Sequence, residues 1–175
     1  DLGLMHEDEL YVTGRIKELI IVAGRNHYPQ DIEFSLQSSN PTFRKGCGAA
    51  FAVTDKGKEH LVIMQEVSNA GGDQTDFQQL AIAASRAVAT RHGVTPKAIV
   101  LITPGTLPKT SSGKIQRTEA KKIYELGNFA PLHTFETNAS QVVAKTKRKV
   151  EERPFMDWQS ELYLEMQTLV SDKLN

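Results

Sequence analysis

The chain has 175 residues, 39% of them hydrophobic and 24% charged, the balance of a globular chain rather than a disordered one. Lys+Arg and Asp+Glu both total 21, so no net field recruits nucleic acid or an anionic membrane, and no apolar run reaches the roughly 20 residues of a bilayer span. The single cysteine, Cys47, excludes an internal disulfide and a cysteine-rich zinc site and suits a reducing cytoplasm; no metal site is expected from the histidine spacing either. The first residue is Asp1 rather than Met, so a segment of a longer chain is expected.

Asp1 to Glu9 is short and acidic and reads as a connector, with 1–12 as the remnant of a link from a preceding domain. Leu10–Thr13 and Leu19–Ala23 are partly β-branched runs around a polar break and predict a hairpin or bent strand pair. Pro29 suits the first turn of a helix carrying Ile32 and Leu36, and Ser39-Asn40-Pro41 stops it. Gly48–Val53 and Leu61–Val67 predict a second hairpin across Asp55-Lys56-Gly57-Lys58. From Phe77 an apolar stripe at Leu80, Ala81, Ala84, Ala87 and Val88 predicts a helix ending near Gly93, with Asp73 or Thr75 as its cap. Ala98–Ile102 reads as a buried strand, Thr103–Gly113 as a loop, and Ile115–Leu126 as a short basic helix. This order predicts a small α+β domain over 13–128, with a hairpin, a small mixed sheet and about three helices. Residues 129–153 read as linker because of the basic run Lys145, Lys147, Arg148 and Lys149. A helical tail over 154–175 places Trp158, Leu162, Met166, Leu169 and Val170 on one face, to pack on a domain or to bind a partner.

The richest stretch is Thr106 to Arg117. A lysine after glycine on a hydroxyl-rich loop can set an ammonium against a phosphate while loop N–H groups assist. Lys109, Lys114, Arg117, Lys121 and Lys122 face only Glu119 in this stretch, so a local anion site is expected beneath the neutral net charge. A Walker A loop is rejected, because Gly105 to Gly113 is too widely spaced and Ile115 stands where Ser or Thr is required. A solvated basic surface loop is the alternative on physics alone.

Pro108-Lys109-Thr110-Ser111-Ser112-Gly113-Lys114-Ile115-Gln116-Arg117 resembles the C-terminal signature P-K-T-x-S-G-K-x-x-R of the adenylate-forming enzymes. Gly14-Arg15-Ile16-Lys17-Glu18-Leu19-Ile20 is similar to that family's hinge motif, and Asp1-Leu2-Gly3 resembles the end of its R-T-G-D motif. The three stand in the family's order, and the resemblance covers residues 1 to about 128. Gly24-Arg25-Asn26-His27-Tyr28-Pro29-Gln30-Asp31-Ile32-Glu33 looks like the fatty acyl-AMP ligase branch, where most acyl-CoA synthetases carry a small apolar pair.

The resemblance implies a mobile C-terminal lid domain. Its parent enzyme would form an acyl-adenylate from a fatty acid and ATP with Mg²⁺, the latter held mainly by the N-terminal adenylation domain. It would then pass the acyl group to the phosphopantetheine of an acyl carrier protein or polyketide synthase, using free CoA poorly. It implies Lys114 as the catalytic cation on the α-phosphate and carboxylate oxygens, Lys17 as the hinge, and Asp1 and Arg15 as ribose contacts. Arg25, Asn26, His27 and Tyr28 mark the branch on the face toward the thiol acceptor, with no chemical step assigned. Without the resemblance, Lys17 is an ordinary strand-edge cation, His27 a packed or solvent-facing histidine, and Cys47 a small buried residue. Two alternatives stand beside this reading: the lid of an acyl-CoA synthetase, and a carrier-protein docking module without catalysis of its own.

Overall fold

The computed structural model of the chain describes residues 2–68 and 75–137. The chain divides into two units, Asp1–Ala139 and Ser140–Asn175; the helix expected over 154–175 lies outside the described residues. The architecture is α+β with a mixed sheet, as the element order predicts.

A four-stranded sheet, ordered β5-β6-β7-β8, is built from Phe43–Asp55, Lys58–Val67, Ala98–Ile102 and Pro131–Glu136. β5 and β6 form the expected hairpin; β6 and β7 run parallel, and β7 and β8 antiparallel. The parallel step requires a crossover, supplied by helix α2 (Phe77–His92). Side chains alternate along the strands. Leu61, Ile63, Ile99 and Leu101 face one side, packing with Ile32 and Leu36 of α1 (Pro29–Ser38) and Leu80, Ala84 and Val88 of α2. Val62, Met64, Ala98 and Val100 face the other, with Phe51, Leu107 and Ala120 of α3 (Arg117–Glu125). Both faces of β6 and β7 are covered, which is why their sequences read as near-continuous apolar runs.

The N-terminal strands pair differently from the sequence expectation. Residues expected as a connector form β1 (Leu2–His6), which pairs with β2 (Glu9–Gly14). A 3₁₀ turn at Ile16–Glu18 follows, and β3 (Ile20–Val22) pairs with β4 (Arg25–His27) rather than with residues 10–13. Both hairpins close through two residues in the left-handed region, Glu7–Asp8 (φ 49° and 64°) and Ala23–Gly24 (φ 50° and 76°). Such turns are the two-residue loops whose twist matches the strands, but neither carries the Asn-Gly or Asp-Gly signature that would have announced it.

Three further differences concern element ends. The cap of α2 is Asp76, whose carboxylate accepts from Gln79 N–H at 3.0 Å, rather than Asp73 or Thr75. α3 starts at Arg117 and not at Ile115, because Ile115 is held in a β-bridge to Lys109 and Gln116 N–H donates to Pro108 O. The domain also continues past 128: residues 131–136, expected in a linker, form β8, with Phe135 packed into the core. Residues 138–153 of that expected linker lie outside the described residues.

Candidate functional site

The lysine loop is built by its own hydrogen bonds. Lys109 and Ile115 bridge antiparallel, Thr110 N–H donates to Lys114 O at 2.8 Å, and Gly113 N–H donates to Thr110 O at 2.9 Å. The Thr110 hydroxyl accepts from Lys114 N–H at 3.0 Å and shares a hydrogen bond with Ser112 at 2.9 Å. Gly113 has φ +81° and nothing within 4 Å of a notional Cβ, so glycine is needed there for its backbone and not for space. Hydroxyl residues and glycine in this motif therefore shape a tight turn that presents the exposed Lys114. Among the described residues its ammonium has no ion-pair partner.

Beneath the loop, Leu107 is buried and its N–H donates to Glu66 Oε1 at 3.0 Å. Arg44 donates to the other Glu66 oxygen at 2.6 Å. Burial alone would raise the Glu66 carboxyl; the N–H groups of Gly105 and Leu107, with Lys109 and Arg44, outweigh it and hold the group below the ordinary glutamate range. A charged, fully buried carboxylate thus pins the root of the loop to β6.

An ion network joins three segments distant in sequence. Arg117 donates from Nε and Nη2 to both oxygens of Glu33 at 2.7 and 2.8 Å, and from Nη1 to Glu18 Oε2 at 2.5 Å. Glu33 Oε1 also accepts from Ala50 N–H at 2.9 Å, and Arg15 lies 3.5 Å from Glu18 Oε1. The bonds Arg117 donates to Glu33 foremost, then its bond to Glu18, raise the Arg117 pKa against the opposing effect of burial. The geometry is a planar fork on a carboxylate, for which arginine and not lysine is suited.

Arg15, Glu18 and Glu33 line an open groove of about 540 Å³ together with Phe34, Lys114 and Arg117. The hinge-like segment and the lysine loop, about a hundred positions apart, converge there. Lys17 is exposed on the 3₁₀ turn and does not line the groove. Nor does the 25–28 segment: Arg25 and Asn26 are exposed on β4, His27 is buried, and Tyr28 caps α1. Burial first, then the charge of Arg25, pushes the His27 imidazole below its ordinary value. Asp1 lies outside the described residues.

The expected five-cation anion site is much reduced. Arg117 is neutralised by two glutamates, Lys121 pairs with Glu125, Lys122 pairs with Glu119, and Lys109 donates to Cys47 Sγ at 3.1 Å. Among the described residues, Lys109 and Lys114 have no carboxylate partner, and of these two Lys114 lines the groove. Glu18 and Glu33 were not singled out from the sequence, although both lie inside the quoted motifs; their pairing with Arg117 is long-range and leaves no periodic signal. Among the described residues, no group of three His, Cys, Asp or Glu could hold a metal, and no helix is long and apolar enough to cross a membrane.

Comparison with known proteins adds kinship to this geometry. The family model of the Disco-interacting protein 2-like AMP domain matches residues 17–133. The medium-chain-fatty-acid–[acyl-carrier-protein] ligase JamA of Moorena producens is 46% identical over 121 residues, covering 69% of this chain and 20% of the relative. The long-chain-fatty-acid–AMP ligase FadD23 of Mycobacterium tuberculosis is 38% identical over 143 residues, 81% of this chain and 24% of that one. A structure from work on fatty acyl-adenylate ligases of E. coli and L. pneumophila superposes with a TM-score of 0.61 at 40% identity, over 72% of this chain and 21% of that one. The chain thus spans about a fifth to a quarter of the length of these relatives.

Proposed function

Because the chain belongs to the Disco-interacting protein 2-like AMP-domain family, within the adenylate-forming enzymes, we propose that it is the mobile C-terminal domain of an ATP-dependent fatty acyl-AMP ligase. The parent enzyme joins a fatty acid to AMP, using ATP with Mg²⁺. It then hands the acyl group to the phosphopantetheine thiol of an acyl carrier protein or polyketide synthase, in the cytoplasm. The observation that carries this reading is the convergence of Arg15 and Lys114 on one open groove, with Lys114 unpaired on a hydrogen-bonded turn.

Each residue has a stated task. Lys114 places its ammonium against the α-phosphate and the fatty-acid carboxylate as charge builds at the phosphorus. A preorganised donor of that kind is worth about 10²- to 10³-fold in rate. Arg15 and Asp1 hold the ribose hydroxyls. Backbone rotation at Lys17 exchanges two orientations of the domain, one for adenylation and one for transfer, and closure keeps water from the labile adenylate. The segment Arg25–Tyr28, β4 and the residue that caps α1, faces the acceptor in the second orientation and disfavours free CoA. It lies away from the groove, as a surface used in the other orientation should.

The test uses the full-length polypeptide that contains this segment, with ATP, Mg²⁺ and a medium-chain fatty acid, and resolves products by mass spectrometry. Lys114→Ala lowers adenylate formation at least about 10²-fold; a near wild-type rate refutes the catalytic role. Acyl-AMP that persists with CoA but moves to a phosphopantetheinylated carrier is the expected product pattern. Rapid acyl-CoA formation assigns an acyl-CoA synthetase instead and removes the inference from Asn26, His27 and Tyr28.

A further inference from the structure

Glu18 occupies an unusual place in the ion network. It follows Lys17 immediately, and its two oxygens are divided between a residue before Lys17 and a residue a hundred positions after it: Oε1 faces Arg15 and Oε2 accepts from Arg117. Arg117 is itself fixed to the domain body through both oxygens of Glu33, and Glu33 is fixed to β5 through Ala50 N–H. Glu18 is therefore anchored to the lysine-loop side of the domain, with its second oxygen extended toward Arg15. Rotation at Lys17 would carry Arg15 away from Glu18 and leave the Arg117 contact intact.

We infer that Glu18 is a positioning residue that couples the segment before Lys17 to the lysine loop, favouring the orientation in which Arg15 and Lys114 share one groove. This rests on the ligase reading above. The chemistry is electrostatic. The Arg117 Nη1 bond fixes the direction of the Glu18 carboxylate, and its other oxygen then attracts Arg15, whose side chain is 67% exposed while that of Glu18 is 26% exposed. Arg15 is thereby held in the groove that Lys114 also lines. A pair this open biases an equilibrium by roughly two- to fivefold and weakens with salt, a size suited to a contact that must break once per cycle. Arg117 helps indirectly, by aiming Glu18, and the lysine loop gains its register from the same residue, three positions after Lys114.

The experiment compares Glu18→Gln with wild type in the full-length polypeptide, measuring two half-reactions separately: adenylate formation by ATP–pyrophosphate exchange, and transfer from preformed acyl-AMP to phosphopantetheinylated carrier protein. Glutamine keeps the shape and a hydrogen bond to Arg117 but loses the charge that attracts Arg15. The expected result is a ratio of adenylation rate to transfer rate roughly two- to fivefold lower than wild type, with the difference shrinking between 0.05 and 0.5 M salt (roughly, the range over which exposed pairs are screened). Equal loss in both half-reactions, or no loss in either, overturns the inference, because a merely structural role moves both together. Glu18→Asp, which restores the charge, recovers part of the ratio; failure to recover any of it also overturns the inference. Lys114→Ala in the same assay separates the two claims. If it leaves adenylation intact, the catalytic role of Lys114 falls, whatever Glu18→Gln does; if the wild-type polypeptide forms no acyl-adenylate, the ligase reading itself falls.

Discussion

Replacing Arg117 with methionine tests the network most directly. The substitution keeps the stem volume and removes three charge-assisted hydrogen bonds, two to Glu33 and one to Glu18. The side chains of Arg117 and Glu33 are only 19% and 10% exposed, so the loss is not softened by solvent as it would be on an open surface. Glu33 keeps one bond, from Ala50 N–H. Breaking a buried pair by removing one partner costs about 3–5 kcal/mol, and most of that is the stranded charge. With water able to reach the groove side, the lower end applies, about 3 kcal/mol, or roughly 10 °C in melting temperature for a unit of this size. Urea and thermal unfolding of the chain, followed by circular dichroism, measure it. Pairing the change with Glu33→Gln closes a double-mutant cycle, and the two losses should fail to add by about 2 kcal/mol. A loss below about 1 kcal/mol, or simple additivity, would refute the claim that Arg117 and Glu33 act as one buried unit.

Other outcomes follow from the packing and the charges. Gly48→Ala sets a Cβ 2.3 Å from Gln65 Oε1 and 2.8 Å from Gln37 Nε2. Gln65 is fully buried and donates to Arg44 O and Glu66 O, so it cannot swing away, and a loss of about 1–3 kcal/mol is expected in urea unfolding. Glu66 titrates below its ordinary value of 4.5 in the folded chain, so its contribution is complete above that pH and is lost as pH falls through the lower folded value; Glu66→Gln should flatten the acid limb of the stability curve there. His92 is held below its ordinary 6.5, chiefly by burial and against the pull of Asp31, so the stability it confers is complete above 6.5 and is lost on acidification through its folded value. Melting temperatures of His92→Gln measured from pH 7.5 to 5 (about the span in which an imidazole titrates) should fall less steeply than wild type; identical slopes refute the assignment.

Much of the domain was legible one segment at a time. The helices at 29–38 and 77–92 announce themselves by Pro29, by Gly93 and by apolar residues at helical spacing, because a helix buries one stripe of its own sequence. The β5–β6 hairpin and β7 are equally plain, since strands covered on both faces must be apolar throughout. The lysine loop was recognisable because its turn needs glycine and hydroxyl residues at fixed offsets. Pairing is another matter. Leu10–Thr13 and Ile20–Val22 could equally have joined each other, and it was the left-handed turns at Glu7–Asp8 and Ala23–Gly24 that decided their partners. β8 was invisible because this edge strand buries no residue fully and four of its six residues are exposed, which leaves little apolar pattern.

The site divides along the same line. Lys114 and Arg15 could be named from their motifs, because each motif is a run of neighbouring residues in the chain. What only the folded domain decides is which charges survive there. In the sequence Arg117 reads as part of a cationic cluster, whereas in the fold Glu18 and Glu33, 99 and 84 positions away, sit on its guanidinium. Electrostatic pairing acts through space over a few ångströms and has no period along the sequence, so the number of cations in a stretch does not give its field. The tertiary structure pairs Arg117, Lys121 and Lys122 with glutamates and turns Lys109 toward Cys47, and of the five it leaves Lys114 as the unpaired cation that lines the groove.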